Sequence, residues 1–381
     1  MRRGLPMIKV FVNGISAKSG GGRSILTNFL KVARSADDPY RYLVAVPDDK
    51  SYADLAHDRV QLLPMPQASK TMRVPLASAI TLPRAASAAS ADLVFNLSDI
   101  PLRSRLPQVF LFDWPYAAFP DSPAWNLATR KERAVRHAKL FFFKRFLPFV
   151  DVMIAQNEVL AGCLKGNYGL AAVRVVPNAV SLDNLAGDKS HDFALGAGVK
   201  LLCLSRYYSH KNIESFLPLA ELIKRASADI KIITTVDAAD SPGAATFLRQ
   251  IAARELADVI VNLGSVPMAR VPSLYHQVDA LLLPTLLESF SGTYVEAMFH
   301  QLPILTSDLP FAHGVCGAGA YYFDPSDSGG MYAAINAMLT DPVERTNKLA
   351  AATGRLAEML TWDQAYAAYT AVFATALENR K

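Results

Sequence analysis

Cysteine is scarce in this chain, with three residues in 381, at Cys163, Cys203 and Cys316. Their odd number and wide separation exclude a disulfide framework and a thiolate zinc site, and fit a reducing compartment. Long apolar runs are also missing. The most hydrophobic stretch, Leu140 to Ala155, is broken by Lys144, Arg145, Pro148 and Asp151, whereas a membrane-spanning helix needs roughly 20 consecutive apolar residues. The opening Met1-Arg2-Arg3-Gly4-Leu5-Pro6 carries charge without an apolar run behind it, so no secretion signal is expected. Asp-x-Asp occurs nowhere, and no His, Cys or Asp cluster has metal-ligand spacing, so no metal is expected.

What is present is ample material for packed cores. Hydrophobic residues make up 51% of the chain, which excludes disordered and coiled-coil architectures. At roughly 150 residues per domain, the length predicts two or three domains. The net charge of +5 is unevenly spread: residues 1–185 hold 24 Lys+Arg against 14 Asp+Glu, and residues 186–381 hold 15 against 20. A half at +10 is joined to a half at −5, which implies that the first half meets something anionic, nucleic acid or a membrane surface.

Strand-length apolar runs alternate with helix-length segments. Ile8–Val12, Tyr42–Val46, Leu93–Phe95, Gln108–Phe112, Val152–Ala155 and Val173–Val176 lack polar alternation, the mark of a parallel sheet covered on both faces. Helices are expected at Ser24–Ser35 and Thr129–Arg145. After the polar stretch Asp183–Gly198 the rhythm restarts with Lys200–Leu204, Ile230–Thr234, Val259–Leu263, Ala280–Leu283, Ile304–Thr306 and Ala320–Phe323. Two such sets predict an α/β protein of two Rossmann-like doubly wound domains facing a cleft, with ligands beyond the carboxyl ends of the strands.

Three segments behind those strands carry chemistry. Gly20-Gly21-Gly22, ahead of a helix, would let backbone N–H groups approach a ligand. Neither a P-loop nor a G-x-G-x-x-G fingerprint is present in register. Ser205-Arg206-Tyr207-Tyr208-Ser209-His210-Lys211 places a guanidinium and an ammonium in one loop, a combination suited to a diphosphate. Glu288-Ser289-Phe290-Ser291-Gly292-Thr293-Tyr294-Val295-Glu296 brings a loop carboxylate, small residues and a helix start near Ser291 with free amides. Eight residues of helix span about 12 Å, more than the roughly 5–9.5 Å of a glycosidase acid–base pair. The two glutamates therefore suit contacts at opposite ends of one extended ligand.

The Glu288–Glu296 segment, the Arg206 and Lys211 pair and Val175-Val176-Pro177-Asn178-Ala179-Val180 resemble retaining glycosyltransferases of the GT4 family, with the GT-B fold. So do Gly20–Gly22 and Thr361-Trp362-Asp363, and the similarity runs over nearly the whole chain, weakest between about residues 50 and 125. The resemblance implies a nucleotide-sugar donor, UDP- or GDP-linked, held mainly by the second domain. Arg206 and Lys211 would hold the diphosphate, Glu288 the sugar hydroxyls, and amides around Ser291, Gly292 and Thr293 the sugar and phosphates. Glu296 would accept from the ribose and the Val266 backbone would meet the base, with Gly21, Gly22, Asn178 and Ser205 also lining the donor. The implied domains are 1–183 with a returning helix at 363–381, and 184–362. Three departures stand out: Ser289 and Ser291 where many members have Gly, Phe112-Asp113-Trp114 where many have a histidine, and Ala312-His313-Gly314 where a glutamate is usual. Asp113 is thus the nearest candidate to orient or deprotonate an acceptor hydroxyl.

Within the basic half, Arg130, Lys131, Arg133, Arg136, Lys144 and Arg145 are interleaved with Phe141, Phe142, Phe143 and Phe146. That pattern suits an anionic leaflet, and no nucleic-acid module is visible. The expected acceptor is a glycan or a lipid-linked, membrane-proximal sugar in cell-envelope polysaccharide or lipopolysaccharide assembly, and the expected location is cytoplasmic, peripheral on the inner face of the membrane. A GT-B sugar-nucleotide epimerase and a non-catalytic nucleotide-sugar-binding protein share these donor features.

Overall fold

Two all-parallel sheets organise the chain. The computed structural model describes residues 7–18, 20–48 and 50–379; the opening hexapeptide, on which the secretion-signal expectation rests, lies outside them. The first sheet contains β1 (Ile8–Asn13), β2 (Tyr40–Val46), β3 (Val60–Pro64), β4 (Leu93–Asn96), β5 (Gln108–Leu111), β6 (Val152–Ala155) and β7 (Val173–Val175), in the order β3-β2-β1-β4-β5-β6-β7. The second contains β8 (Val199–Cys203), β9 (Ile230–Thr234), β10 (Ile260–Asn262), β11 (Ala280–Leu283), β12 (Ile304–Ser307) and β13 (Tyr321–Phe323), in the order β10-β9-β8-β11-β12-β13. β4, β5, β6, β11 and β12 are buried along their whole length, as strands covered on both faces must be. Strand order reverses between β1 and β4 in one sheet and between β8 and β11 in the other, and ligands of doubly wound folds bind at such switch points.

The chain divides into two compact units, one of Met1–Pro120, Thr129–Ala179 and Leu360–Lys381, the other of Asp121–Ala128 and Val180–Met359. Two differences from the expected domains follow. The segment Asp121–Ala128 joins the second unit, where the Ser122 hydroxyl donates to the Leu286 carbonyl at 2.9 Å, and the first unit ends at Ala179 rather than 183. A lone hydrogen bond of this kind carries no sequence signal. β3 also lies outside the expected strands, because Gln61 and Pro64 interrupt its apolar run.

In the first unit the pleat sorts side chains onto two cores. Val10, Val12, Val44 and Phe95 pack on one face with the helices Gly20–Ser35 and Trp362–Glu378. Phe11, Ala45 and Val94 pack on the other with Val74, Ala77, Leu82, Ala86 and Phe146. The terminal helix starts at a capping box, with the Thr361 hydroxyl accepting from the Gln364 amide at 3.2 Å. It buries Tyr366, Tyr369 and Phe373, and the Phe373 ring lies 4.9 Å from Phe95 and 5.7 Å from Tyr40.

The helix Arg130–Phe146 is also capped, by Thr129 and Glu132. Its phenylalanines divide: Phe143 and Phe146 are buried, while Phe141 is 63% exposed. The expected exposed aromatic face is therefore narrower than the sequence implied, because Phe143 meets the rings of Phe110, Phe112 and Trp114 at 5.9–6.5 Å. Arg130, Lys131, Arg133, Lys144 and Arg145 are exposed, and the Arg136 guanidinium lies 4.0 Å from the Tyr116 ring centre.

Candidate active site

In the second unit the loops that follow β8 and β11, on either side of the switch point, are tied together. The His210 carbonyl accepts from the Leu286 amide at 2.7 Å and from the Thr285 hydroxyl at 3.1 Å. The loop after β8 closes as a 3-10 turn, Ser209–Lys211, ended by Asn212 at φ +55°, a left-handed position that asparagine tolerates. That turn aims Lys211 at Glu288. Lys211 Nζ and Glu288 Oε1 form an ion pair in which each side chain is 13% exposed, and the Thr285 hydroxyl donates to the same Glu288 oxygen at 3.1 Å. Lys211 and Glu288 are therefore brought together.

Arg206 is placed differently. It is 66% exposed and its Nε lies 3.4 Å from Asp240 Oδ1, while the Tyr207 amide donates to Asp240 Oδ2 at 3.2 Å. Ser205 donates through its amide to the Thr235 hydroxyl at 3.1 Å. Asp240 follows β9 and had no motif to announce it.

The helix after β11 is Gly292–Phe299, with Ser291 at its N-cap. Ser291 makes no side-chain capping bond; its hydroxyl pairs instead with that of Thr293 at 2.8 Å. The first turn holds no acidic residue of its own, so the nearest carboxylate oxygen at the Gly292 end is Glu296 Oε1, from one turn inside. Ser289 and Ser291 are buried.

Glu296 lies one turn inside. Tyr275, fully buried in the helix Val271–His276, donates to Glu296 Oε2 at 2.7 Å, and the His300 ring stacks on Tyr275 at 4.8 Å. Burial pushes the Glu296 carboxyl above the usual carboxylate range, opposed by the Tyr275 bond. Glu296 Oε1 is left toward the helix start, 3.8 Å from where a Cβ on Gly292 would sit. Tyr275 was missed from sequence, since only tertiary packing pairs it with Glu296. Val266 follows Gly264, which turns the chain out of β10 at φ +70°, and packs on the core cluster that includes Leu202, Ile233 and Leu274.

Gly21, Gly22, Asn178 and Asp113 belong to the first unit. The glycines open the helix Gly20–Ser35 rather than forming a loop ahead of it, with Gly20 at φ +60°, a conformation glycine adopts without steric cost. A Cβ on Gly21 would lie 3.9 Å from Asp113 Oδ2, so Asp113 faces that first turn. Gln156 donates to Asp113 Oδ1 at 3.1 Å. Asn178 is buried, with Oδ1 lacking a hydrogen-bond partner among the described residues. Among the described residues no three His, Cys, Asp or Glu side chains converge on a metal-sized site, and no helix is long and apolar enough to cross a membrane.

Residues 195–355, all within the second unit, match the family model described as glycosyl transferases group 1. Over 152 residues the chain is 29% identical to the O-antigen chain mannosyltransferase RfbU of Salmonella typhimurium, covering 39% of this chain. The match spans 42% of that relative's length. A sucrose-phosphate synthase from Thermosynechococcus elongatus superposes with a TM-score of 0.72 at 12% identity, over 98% of this chain and 100% of its own. Anabaena HepE in complex with UDP-glucose does so with 0.70 at 16% identity, over 97% and 100%. Residues 195–355 are therefore similar to glycosyl transferases group 1, in a chain that shares the two-domain GT-B fold of these structures.

Proposed function

We propose that this chain is a retaining, GT4-type glycosyltransferase that moves a hexose from a UDP- or GDP-linked sugar to a glycan or lipid-linked acceptor. Its place would be cell-envelope polysaccharide or lipopolysaccharide assembly, on the inner face of the cytoplasmic membrane, with the anionic lipid surface as a partner. The observation that carries the activity is the Lys211–Glu288 pair joining the loops after β8 and β11 at the switch point, with the helix Gly292–Phe299 beginning four residues after Glu288. The RfbU relationship and the UDP-glucose complex of HepE support the sugar chemistry.

The residues divide the work by charge. A diphosphate would exchange with Glu288 for Lys211 and accept from the Gly292 and Thr293 amides, while Glu288 turns to sugar hydroxyls. Arg206, swung from the exposed side of Asp240, adds a second cation. As the bond from the anomeric carbon to the phosphate oxygen breaks, these cations and amides stabilise the charge growing on the leaving group. Acceptor attack from the same face retains the configuration, and the acceptor proton passes to the departing phosphate. Asp113, oriented by Gln156, would hold the acceptor hydroxyl. With these cations in place the reaction needs no resident divalent ion.

Melting-temperature shifts with UDP, GDP and their hexose conjugates test donor binding; a ligand at 100 times its Kd should add about 2.7 kcal/mol of stability. NMR of the product's anomeric proton tests retention, and full activity after exhaustive EDTA treatment tests metal independence. No shift with any nucleotide sugar would overturn the reading, and free epimerised donor in the absence of acceptor would reassign it to an epimerase.

A further inference from the structure

Three large apolar side chains stand in solvent on one helical run of the first unit. From Thr71 to Ala88 the chain passes without a break through a 3-10 turn (Thr71–Arg73), an α turn (Val74–Leu76), a π turn (Ala77–Thr81) and an α-helix (Leu82–Ala88). Val74, Ala77, Leu82 and Ala86 are buried against Phe11 and Val94 of the sheet. The opposite side carries Met72, Leu76 and Ile80, which are 77%, 59% and 39% exposed. In an α-helix, residues four apart drift by about 40° around the axis. The wider π turn between Leu76 and Ile80 offsets part of that drift.

Four cations lie along the run or beside it. Lys70, Arg73 and Arg84 are exposed on the same run, and exposed Arg103 is held alongside by its amide bond to the Ser78 carbonyl at 3.0 Å. Arg73 donates to the neutral Gln67 amide oxygen at 3.1 Å. Among the described residues none of these four joins an ion pair. No Asp or Glu occurs between Asp58 and Asp92, and no Phe, Tyr or Trp between Tyr52 and Phe95.

We propose that this face is a membrane-docking surface, with Met72, Leu76 and Ile80 entering the interface of an anionic bilayer and Lys70, Arg73, Arg84 and Arg103 meeting its phosphates. The proposal rests on the membrane reading above and names the surface. Nucleic acid would bring the same phosphates, but the face offers no ring for a base to stack on. A second copy would set cations against cations. The basic helix Arg130–Phe146 sends Phe142 and Phe146 into the same core, so both elements lie on one side of the sheet and share the half at +10.

Sedimentation with vesicles of phosphatidylcholine alone and of phosphatidylcholine with phosphatidylglycerol tests it. The full chain should co-sediment with the anionic vesicles only. M72S/L76S/I80S and, separately, R73E/R84E should each lower the partition coefficient at least about tenfold, with melting temperature and donor-induced shift unchanged. K131E/R133E on the neighbouring helix should lower it less than either. Undiminished vesicle binding by both face variants would overturn this surface and leave the membrane reading standing; no wild-type binding would overturn both. A dimer lost in M72S/L76S/I80S with vesicle binding intact would assign the face to a second copy and overturn the proposal.

Discussion

Lys211 and Glu288 meet as an ion pair although 77 residues separate them in the chain. The bond from Thr285 and the carbonyl of His210 lock the two loops that carry them. Each charge thereby keeps a partner before a ligand arrives, in a setting only 13% exposed.

The coupling should be measurable. In a double-mutant cycle of Lys211→Met and Glu288→Gln, urea denaturation should give an interaction energy of roughly 0.5–3 kcal/mol. Each single variant should also lose donor-induced thermal stabilisation. Strictly additive stabilities would mean that the pair contributes nothing.

Arg206 separates catalysis from stability. Arg206 is 66% exposed in its ion pair, and Asp240 keeps the Tyr207 amide as a second partner, so Arg206→Ala should change stability by roughly 0–1 kcal/mol. Turnover should fall at least about a hundredfold, the loss expected when one group that stabilises transition-state charge is removed. Near-normal kcat in that variant would sink the diphosphate role.

Glu296 predicts a pH signature. Its carboxyl is pushed up by burial, so the folded state holds the proton at pH values where the unfolded chain has released it. The stability this confers is present at low pH and is lost as pH rises through the folded-state pKa. Glu296→Gln cannot ionise, so its melting temperature relative to the wild type should increase as pH climbs above the ordinary carboxylate range. Parallel melting curves across that interval would refute the assignment. Donor affinity of the wild type should rise over the same interval, since ribose hydroxyls donate to the ionised form.

The terminal helix is part of the first core. Tyr366 bonds the Tyr42 hydroxyl at 2.7 Å and donates to Asp38 Oδ2 at 2.6 Å. Tyr366→Phe should cost about 1–3 kcal/mol by leaving the Tyr42 hydroxyl without this partner, and Phe373→Ala about 3–5 kcal/mol, both read by urea denaturation. Deleting residues 360–381 should give insoluble protein, because the Phe29, Phe95 and Tyr42 rings would face water.

Much of this was legible in the chain because parallel strands buried on both faces read as unbroken apolar runs. Val152–Ala155 and Ala280–Leu283 have the expected limits for that reason. The helix start at Ser291 followed from small residues after a strand. β3 escaped because polar Gln61 interrupts it, and the run Thr71–Ala88 because its mixed 3-10, α and π turns break any single period. Tyr275 and Asp240 were invisible for another reason: they act on Glu296 and Arg206 through space alone.

The sequence by itself determined the alternation of strand and helix, the two-sheet plan, the division of charge and the loops that carry Arg206, Lys211, Glu288 and Glu296. These depend on local pattern and on hydrophobic burial, which short segments encode. Tertiary structure alone decided which of those charges meet. It joined Lys211 to Glu288, gave Arg206 to Asp240, shielded Glu296 behind Tyr275 and left Met72, Leu76 and Ile80 in solvent, because partnership between distant side chains is set by strand order and packing, which no local pattern specifies.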